Sequence, residues 1–308
     1  MKKQIFLLSF LFFSLLIFSV TLTNPLGPTV VPVTGLMENT IDEEVEIDVS
    51  FWKDANEAVA LLVSNQSDFA VLPVTVGANL YAQGLDLILL GVHEWEAFYL
   101  VGSGNESFNN IESLKGKEVY SPHGRGQTVD VLLRYLLVVN GLDPDKDVKF
   151  SYLPPQEIVS LFKAGKVTFA ALPEPFATLA ITGTDGEILL DFQKEWNEIS
   201  GSKYGLPIAG LFVKKEILEK DPILVSKVEK SFSESVIWAN DNLDEALRIT
   251  NQYLTIPIPV LKQAMNRLKF EYIPISDCKE EVQNFLITMH EFYPEGLPKL
   301  PSEGFYYK

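Results

Sequence analysis

Short apolar runs alternate with stretches of helical periodicity along the first two thirds of the chain. Runs near 20–24, 45–51, 69–72 and 86–92 read as strands, and 28–38, 55–64 and 74–83 between them read as helices. The same order returns further on. Strands are expected near 117–121, 147–152, 168–172 and 187–191, with helices at 126–139, 155–164 and 174–182. Asp143-Pro144 and Pro154-Pro155 fall where turns are needed.

This recurrence is a repeat. Residues 57–90 align without gaps on 157–190, and ten of the 34 positions are identical, among them Phe69/Phe169, Ala70/Ala170, Leu72/Leu172 and Pro73/Pro173. With small gaps the match extends upstream, where Thr23-Asn-Pro-Leu-Gly-Pro-Thr-Val resembles Tyr120-Ser-Pro-His-Gly-Arg-Gly-Gln-Thr-Val. Each half reads strand, loop, helix, strand, loop, helix, strand, the pattern of a parallel α/β unit. The fold class expected is therefore α/β, with two doubly wound lobes.

Two further β-like runs, at 97–102 and 208–213, lie where the chain would cross between lobes, as a two-strand hinge requires. After 213 the periodicity turns helical, near 214–219, 222–239, 243–253, 257–268 and 278–291, and this tail is expected to pack on the first lobe. The last fifteen residues are expected to run extended over the surface. The resulting division is residues 20–97 plus 210–308 for lobe 1 and 98–209 for lobe 2.

Composition narrows the class. Apolar residues make up 47% of the 308 and charged residues 21%, enough apolar matter for a globular core. The net charge of −16 and the absence of long Lys/Arg runs give no support to a nucleic-acid footprint. Lys2 and Lys3 precede an almost wholly apolar stretch from Ile5 to Val20, too short to span a bilayer comfortably. Residues 1–19 are expected to be a signal peptide, cleaved after Ser19. Cys278 is the single cysteine, so no internal disulfide can form, and no cysteine follows the apolar stretch to carry a lipid. The expected location is periplasmic, exported and soluble without a lipid anchor, and Cys278 is expected to be a partly buried structural thiol.

Candidate chemistry follows from the strand ends, because ligands of doubly wound sheets sit beyond the carboxyl ends of the strands. The two Pro-x-Gly loops occupy matching places, and the helix starts after them present free N–H groups and partial positive charge. These nominate Asn24, Gly27, Pro28 and Thr29 in lobe 1, and Gly124, Arg125, Gly126, Gln127 and Thr128 in lobe 2. Arg125 could grip a sulfonate, carboxylate or phosphate bidentately. His123 beside it reads as a loop residue able to donate a hydrogen bond. Trp52, at a strand end, could stack on a planar ring or pack in the core. Pro73 and Thr75 take the same place in the repeat as Pro173-Glu174-Pro175, and Glu174 could cap a helix or accept from an amino group. Trp95 and Tyr204 lie beside the crossings, Tyr204 with Pro207 at the cleft floor. His93-Glu94-Trp95-Glu96 holds potential metal ligands, but no second cluster completes a site, and a solvated loop is expected there. No cofactor and no metal are expected.

Asn24-Pro-Leu-Gly-Pro-Thr, Asp68-Phe-Ala-Val-Leu-Pro, Ser113-Leu-Lys-Gly-Lys-Glu-Val and Ala170-Ala-Leu-Pro-Glu-Pro-Phe together resemble the periplasmic substrate-binding proteins of ABC importers that take sulfonates, taurine, nitrate and thiamine precursors. The resemblance covers roughly residues 20–240. It implies two lobes closing on a small-molecule ligand, a membrane permease as partner, a monomer, and no catalysis. The ligand stays open. Two helix starts and Arg125 favour an organic anion; Trp52 and Glu174 favour a planar heterocycle such as a hydroxymethylpyrimidine. If the ligand is a sulfonate, Glu174 must point away or pair with Arg125. An enzyme on the same scaffold, related to pyrimidine synthases, and a sensory ligand-binding module are the alternatives.

Overall fold

The computed structural model describes residues 19–38, 40–41, 45–104, 107–122 and 124–308. The expected signal peptide, apart from Ser19, and His123 lie outside the described residues.

Two mixed sheets carry the architecture. The first contains β1 (Val20–Pro25), β2 (Ile47–Trp52), β3 (Phe69–Pro73), β4 (Leu87–Glu96), β10 (Ala209–Lys214) and β11 (Lys269–Pro274), in the order β11-β4-β10-β3-β1-β2. The second contains β5 (Phe98–Gly102), β6 (Glu118–Pro122), β7 (Lys149–Leu153), β8 (Phe169–Pro173) and β9 (Glu187–Asp191), in the order β7-β6-β8-β5-β9. Each half thus runs second, first, third, inserted strand, fourth. The inserted strand, β10 or β5, is antiparallel to its neighbours and is the first strand after the chain crosses over. β3 and β8 are buried at four of their five positions because sheet neighbours flank them and helices cover both faces, which is why their sequences read as unbroken apolar runs.

The connecting helices in the first half are α1 (Val30–Met37), α2 (Ala55–Val63) and α3 (Val74–Ala82). In the second they are α4 (Thr128–Val139), α5 (Pro155–Lys163), α6 (Phe176–Ile181) and α7 (Phe192–Ser200). β3 and α2 stand one hundred residues before β8 and α5, as the repeat predicts. Local chemistry sets the helix starts. Asp54 accepts hydrogen bonds from the N–H groups of Asn56 and Glu57 at 2.9 and 3.1 Å, and Asp191 caps α7 through Gln193 and Lys194 at 2.9 and 3.0 Å. Gly201, with φ +69°, ends α7 in the left-handed conformation.

Two elements were not expected. α7 is polar, with only Phe192, Gln193 and Trp196 buried. β11 follows directly on helical residues, and register shifts interrupt its pairing with β4. The predicted loop at His93–Glu96 is instead the buried end of β4: β4 lies between β10 and β11, so His93 and Trp95 are fully enclosed and Glu94 is 6% exposed.

The chain crosses between sheets at Ala97 and again through residues 201–208. These segments lie side by side, with the N–H groups of Leu206 and Ile208 donating to the carbonyls of Trp95 and Glu94 at 3.2 and 2.9 Å. In the tail, α8 (Lys215–Lys220), α9 (Pro222–Asp241) and α10 (Leu243–Thr250) pack on the first sheet and α1. α11 (Ile258–Ala264) also touches α6, and α12 (Ile275–Phe292) packs on both sides, against β4, β11 and α3 and against α4. Trp196 meets Phe285 edge-on at 5.8 Å, and Tyr135 meets Phe292 at 5.2 Å. One apolar core is therefore continuous from the first sheet through α12 to α4 and α7. The last fifteen residues do not simply skirt the surface. Phe305 is fully buried against Tyr81 and Phe212, and the N–H of Tyr307 donates to Leu89 at 3.0 Å. Cys278 is wholly buried, with Sγ 3.4 Å from the Pro274 carbonyl and its pKa pushed up to about 12 by burial.

Candidate functional site

The start of α3, the loop into α4 and the tail after α12 enclose a cavity of about 320 Å³. Pro73 at the end of β3 and Thr75, Val76 and Asn79 of α3 contribute on one side, Arg125, Gly126, Gln127 and Thr128 on the α4 side, and Met289 near the end of α12 with Tyr293, Gly296 and Leu297 beyond it on the third. Two helix starts therefore open onto one space. The first-turn N–H groups of each have no acceptor within the helix, and the aligned peptide dipoles add partial positive charge. No carboxylate is among the lining residues.

The loop at 124–127 is held by a polar network beneath it. Gly126 has φ +89°, which only glycine adopts readily, and its N–H donates to Asp130 at 2.8 Å. Asp130 is fully buried and accepts from Arg134 Nε at 3.0 Å and from the Tyr152 hydroxyl at 2.8 Å. The Arg134 guanidinium lies 4.1 Å from the centre of the Phe150 ring and donates to Asp145 at 2.8 Å. Asp145 also accepts twice from Arg125, at 3.0 and 3.4 Å, and these guanidinium groups hold its carboxyl below the usual carboxylate range. Arg125 is more than half exposed and uses two of its five N–H donors in that pair.

Not every nominated residue reaches this cavity. Asn24 is fully buried and its amide holds the β1 loop, donating to the Pro25 carbonyl at 2.9 Å and to Thr29 Oγ1 at 3.3 Å. Thr29 donates back to Pro25 at 3.2 Å. Gly27 and Pro28 form the turn above, and no atom lies within 4 Å of a methyl placed on Gly27 or on Gly124. Trp52 is 7% exposed within the core. Trp95 donates through Nε1 to the Glu271 carbonyl at 2.8 Å, with Tyr204 against its ring at 5.6 Å. Glu174 does not pair with Arg125. It is buried, accepts from Arg267 Nε at 2.5 Å and from the backbone and hydroxyl of Thr178 at 3.0 and 2.9 Å, and so joins β8 to the turn after α11.

Sequence reasoning missed Val76, Asn79 and the four tail residues. Asn79 is one turn beyond Thr75 and could have been found by helical spacing. Among the described residues, no group of three or more His, Cys, Asp or Glu side chains is placed to hold a metal, and no helix is long and apolar enough to cross a membrane.

The sequence profile of the NMT1-like family matches residues 37–252. The chain belongs to the NMT1-like family. Among curated relatives of this NMT1-like protein, the nitrate/nitrite binding protein NrtA of Synechococcus elongatus is 28% identical over 129 residues, covering 41% of this chain and 28% of that protein. A putative aliphatic sulfonates-binding protein of Bacillus subtilis is 27% identical over 191 residues, 60% of this chain and 53% of that protein. The chain spans about half or less of the length of these two relatives. An ABC transporter structure from Parabacteroides distasonis superposes with a TM-score of 0.79 at 24% identity, over 94% of this chain and 99% of that one. The periplasmic aliphatic sulphonate binding protein SsuA of Escherichia coli does so with 0.78 at 18%, over 94% and 92%. The NMT1-like chain thus has the periplasmic-binding-protein fold, built of two α/β units.

Proposed function

We propose that this chain is the solute-binding component of an ABC importer and that it carries a small organic anion. The observation that supports this reading best is the cavity itself. Two helix starts and Arg125 converge on it, and no carboxylate lines it. Such a space favours negative charge through backbone N–H groups, dipoles and a guanidinium together. The names of the nitrate- and sulfonate-binding relatives point the same way, and favour carriage over catalysis. The heterocycle alternative loses its two supports, because Glu174 is engaged by Arg267 and Thr178, and Trp52 is packed in the core.

In this reading the two lobes (20–97 with 210–308, and 98–209) close on the ligand, and the closed form docks on a membrane permease. Contacts from both lobes favour that form, so ligand shifts the population toward it. Residues 1–19 direct export, and the carrier works as a soluble periplasmic monomer. A thermal-shift screen of residues 20–308 tests the proposal, with sulfonates, taurine, nitrate, bicarbonate, thiamine and its pyrimidine precursors as probes. Ligand at a hundred times Kd stabilises the folded state by about 2.7 kcal/mol. A rise in Tm with an organic anion that Arg125→Gln abolishes is the expected result. A rise with a pyrimidine alone overturns the anion assignment.

A further inference from the structure

The profile match ends at residue 252, yet a third of the cavity wall comes from beyond it, from the end of α12 and the loop after it. This loop is positioned from both sides. α12 packs on the first sheet and, through Phe285 and Phe292, on Trp196 and Tyr135 of the second unit. His290 Nδ1 then lies 2.7 Å from the Leu297 carbonyl and closes the loop on itself. Inside it, the Tyr293 ring is seated between two glycines. A methyl on Gly126, across the cleft, or on Gly296, in the same loop, would collide with the ring. Gly126 needs glycine for its positive φ as well, but Gly296 lies outside the positive-φ region, so its missing side chain serves the ring alone.

We infer that Tyr293 is the selectivity residue of this carrier: its ring, fixed between Gly126 and Gly296, sets how long an apolar substituent the bound anion can carry. The inference rests on the anion-carrier reading and deepens it. Arg125 and the α4 start provide the charged end of the site, while Met289, Leu297 and Val76 provide an apolar side. An organic anion with a short apolar tail satisfies both, and the Tyr293 ring blocks extension of the tail. One methylene in an apolar pocket changes affinity by about 10- to 200-fold, so removing a ring should move the preference well beyond measurement error.

The test compares Kd values by calorimetry for methanesulfonate against hexanesulfonate, and acetate against hexanoate, in wild type, Tyr293→Phe and Tyr293→Ala. Circular dichroism checks the fold, and Tyr293→Leu replaces the alanine variant if that one unfolds. Tyr293→Ala should shift the short-to-long affinity ratio toward the long anion by at least about tenfold, and Tyr293→Phe should leave the ratio unchanged. A wild type that binds anions while the smaller variant keeps its ratio overturns this inference alone. A wild type that binds neither sulfonates nor carboxylates overturns the carrier reading and this inference with it.

Discussion

β4 carries two adjacent ionisable side chains into the interior, and their opposite responses to burial predict the shape of the stability profile against pH. The His93 ring is edge-on to Phe232 at 5.1 Å and stacked on Phe270 at 6.3 Å, and neither nitrogen has a hydrogen-bond partner. Burial lowers its pKa from 6.5 to about 3. Burial raises that of Glu94 from 4.5 to about 8. Below pH 6.5 the unfolded chain takes up a proton on His93 that the folded chain refuses until about pH 3, so the histidine's share of stability is lost as pH falls through that window. The folded chain keeps the Glu94 proton up to about pH 8 while the unfolded chain releases it near 4.5, so the glutamate's share is lost as pH rises. Between 4.5 and 6.5 the two slopes cancel. Outside that plateau each slope is about 1.4 kcal/mol per pH unit, which amounts to about 2 kcal/mol by pH 8 and again by pH 3. Urea unfolding between pH 4 and 8.5 measures this in wild type, Glu94→Gln and His93→Phe. Relative to wild type, Glu94→Gln should gain about 1.4 kcal/mol per unit as pH rises from 4.5 to 8, and His93→Phe should gain as much per unit as pH falls below 6.5. A difference from wild type that stays flat within about 0.5 kcal/mol from pH 5 to 8 in Glu94→Gln would refute the reasoning.

Arg267→Ala should destabilise the protein by about 3 kcal/mol, since it leaves the buried Glu174 carboxylate with Thr178 alone, whereas Glu174→Gln should cost less; equal losses in urea unfolding would contradict this. Gly27→Val meets open space and should leave Tm within about 2 °C of wild type, as a surface change away from the core does. The same variant should leave the calorimetric affinity for the anion unchanged, since Gly27 does not line the cavity, and a weakened affinity would bring the β1 loop into the site.

The fold was legible because its information is local and doubled. Phe69–Pro73 and Phe169–Pro173 are buried on both faces, so they read as short apolar runs bounded by proline, and the hundred-residue offset repeats the signal. Where local pattern and tertiary environment diverge, the reading failed. His93-Glu-Trp-Glu has the composition of a loop, but β10 and β11 enclose it as a strand. β11 hides its alternation behind register shifts at Lys269/Phe270 and Phe270/Ile273. α7 buries one narrow stripe, Phe192 and Trp196, which helical periodicity over a nine-residue segment with six polar positions does not reveal.

The site was legible by halves for a related reason. The repeat pairs strand ends, so it nominates matching loops; it led to Pro73, Thr75 and the 125–128 loop, which share the cavity. It also led to Asn24, Thr29 and Glu174: the Asn24 amide N–H groups and the Thr29 hydroxyl are spent on Pro25 and on each other, with Asn24 Oδ1 buried without a partner, and Glu174 is held by Thr178 and Arg267. Under pseudo-symmetry a side chain that faces a ligand and one that holds the loop facing it occupy the same strand end, so the repeat marks both alike and does not separate them. Nor can it see the tail, which has no counterpart in either half. Met289, Tyr293 and Leu297 are single residues on an amphipathic helix end and a short loop, indistinguishable in sequence from ordinary packing residues. In the proposed anion-carrier reading the doubly wound scaffold supplies the helix starts, and the apolar side of the cavity comes from the segment the repeat does not encode. Relatives that keep the 125–128 loop but differ after α12 should share a preference for anions and differ in which anion they hold.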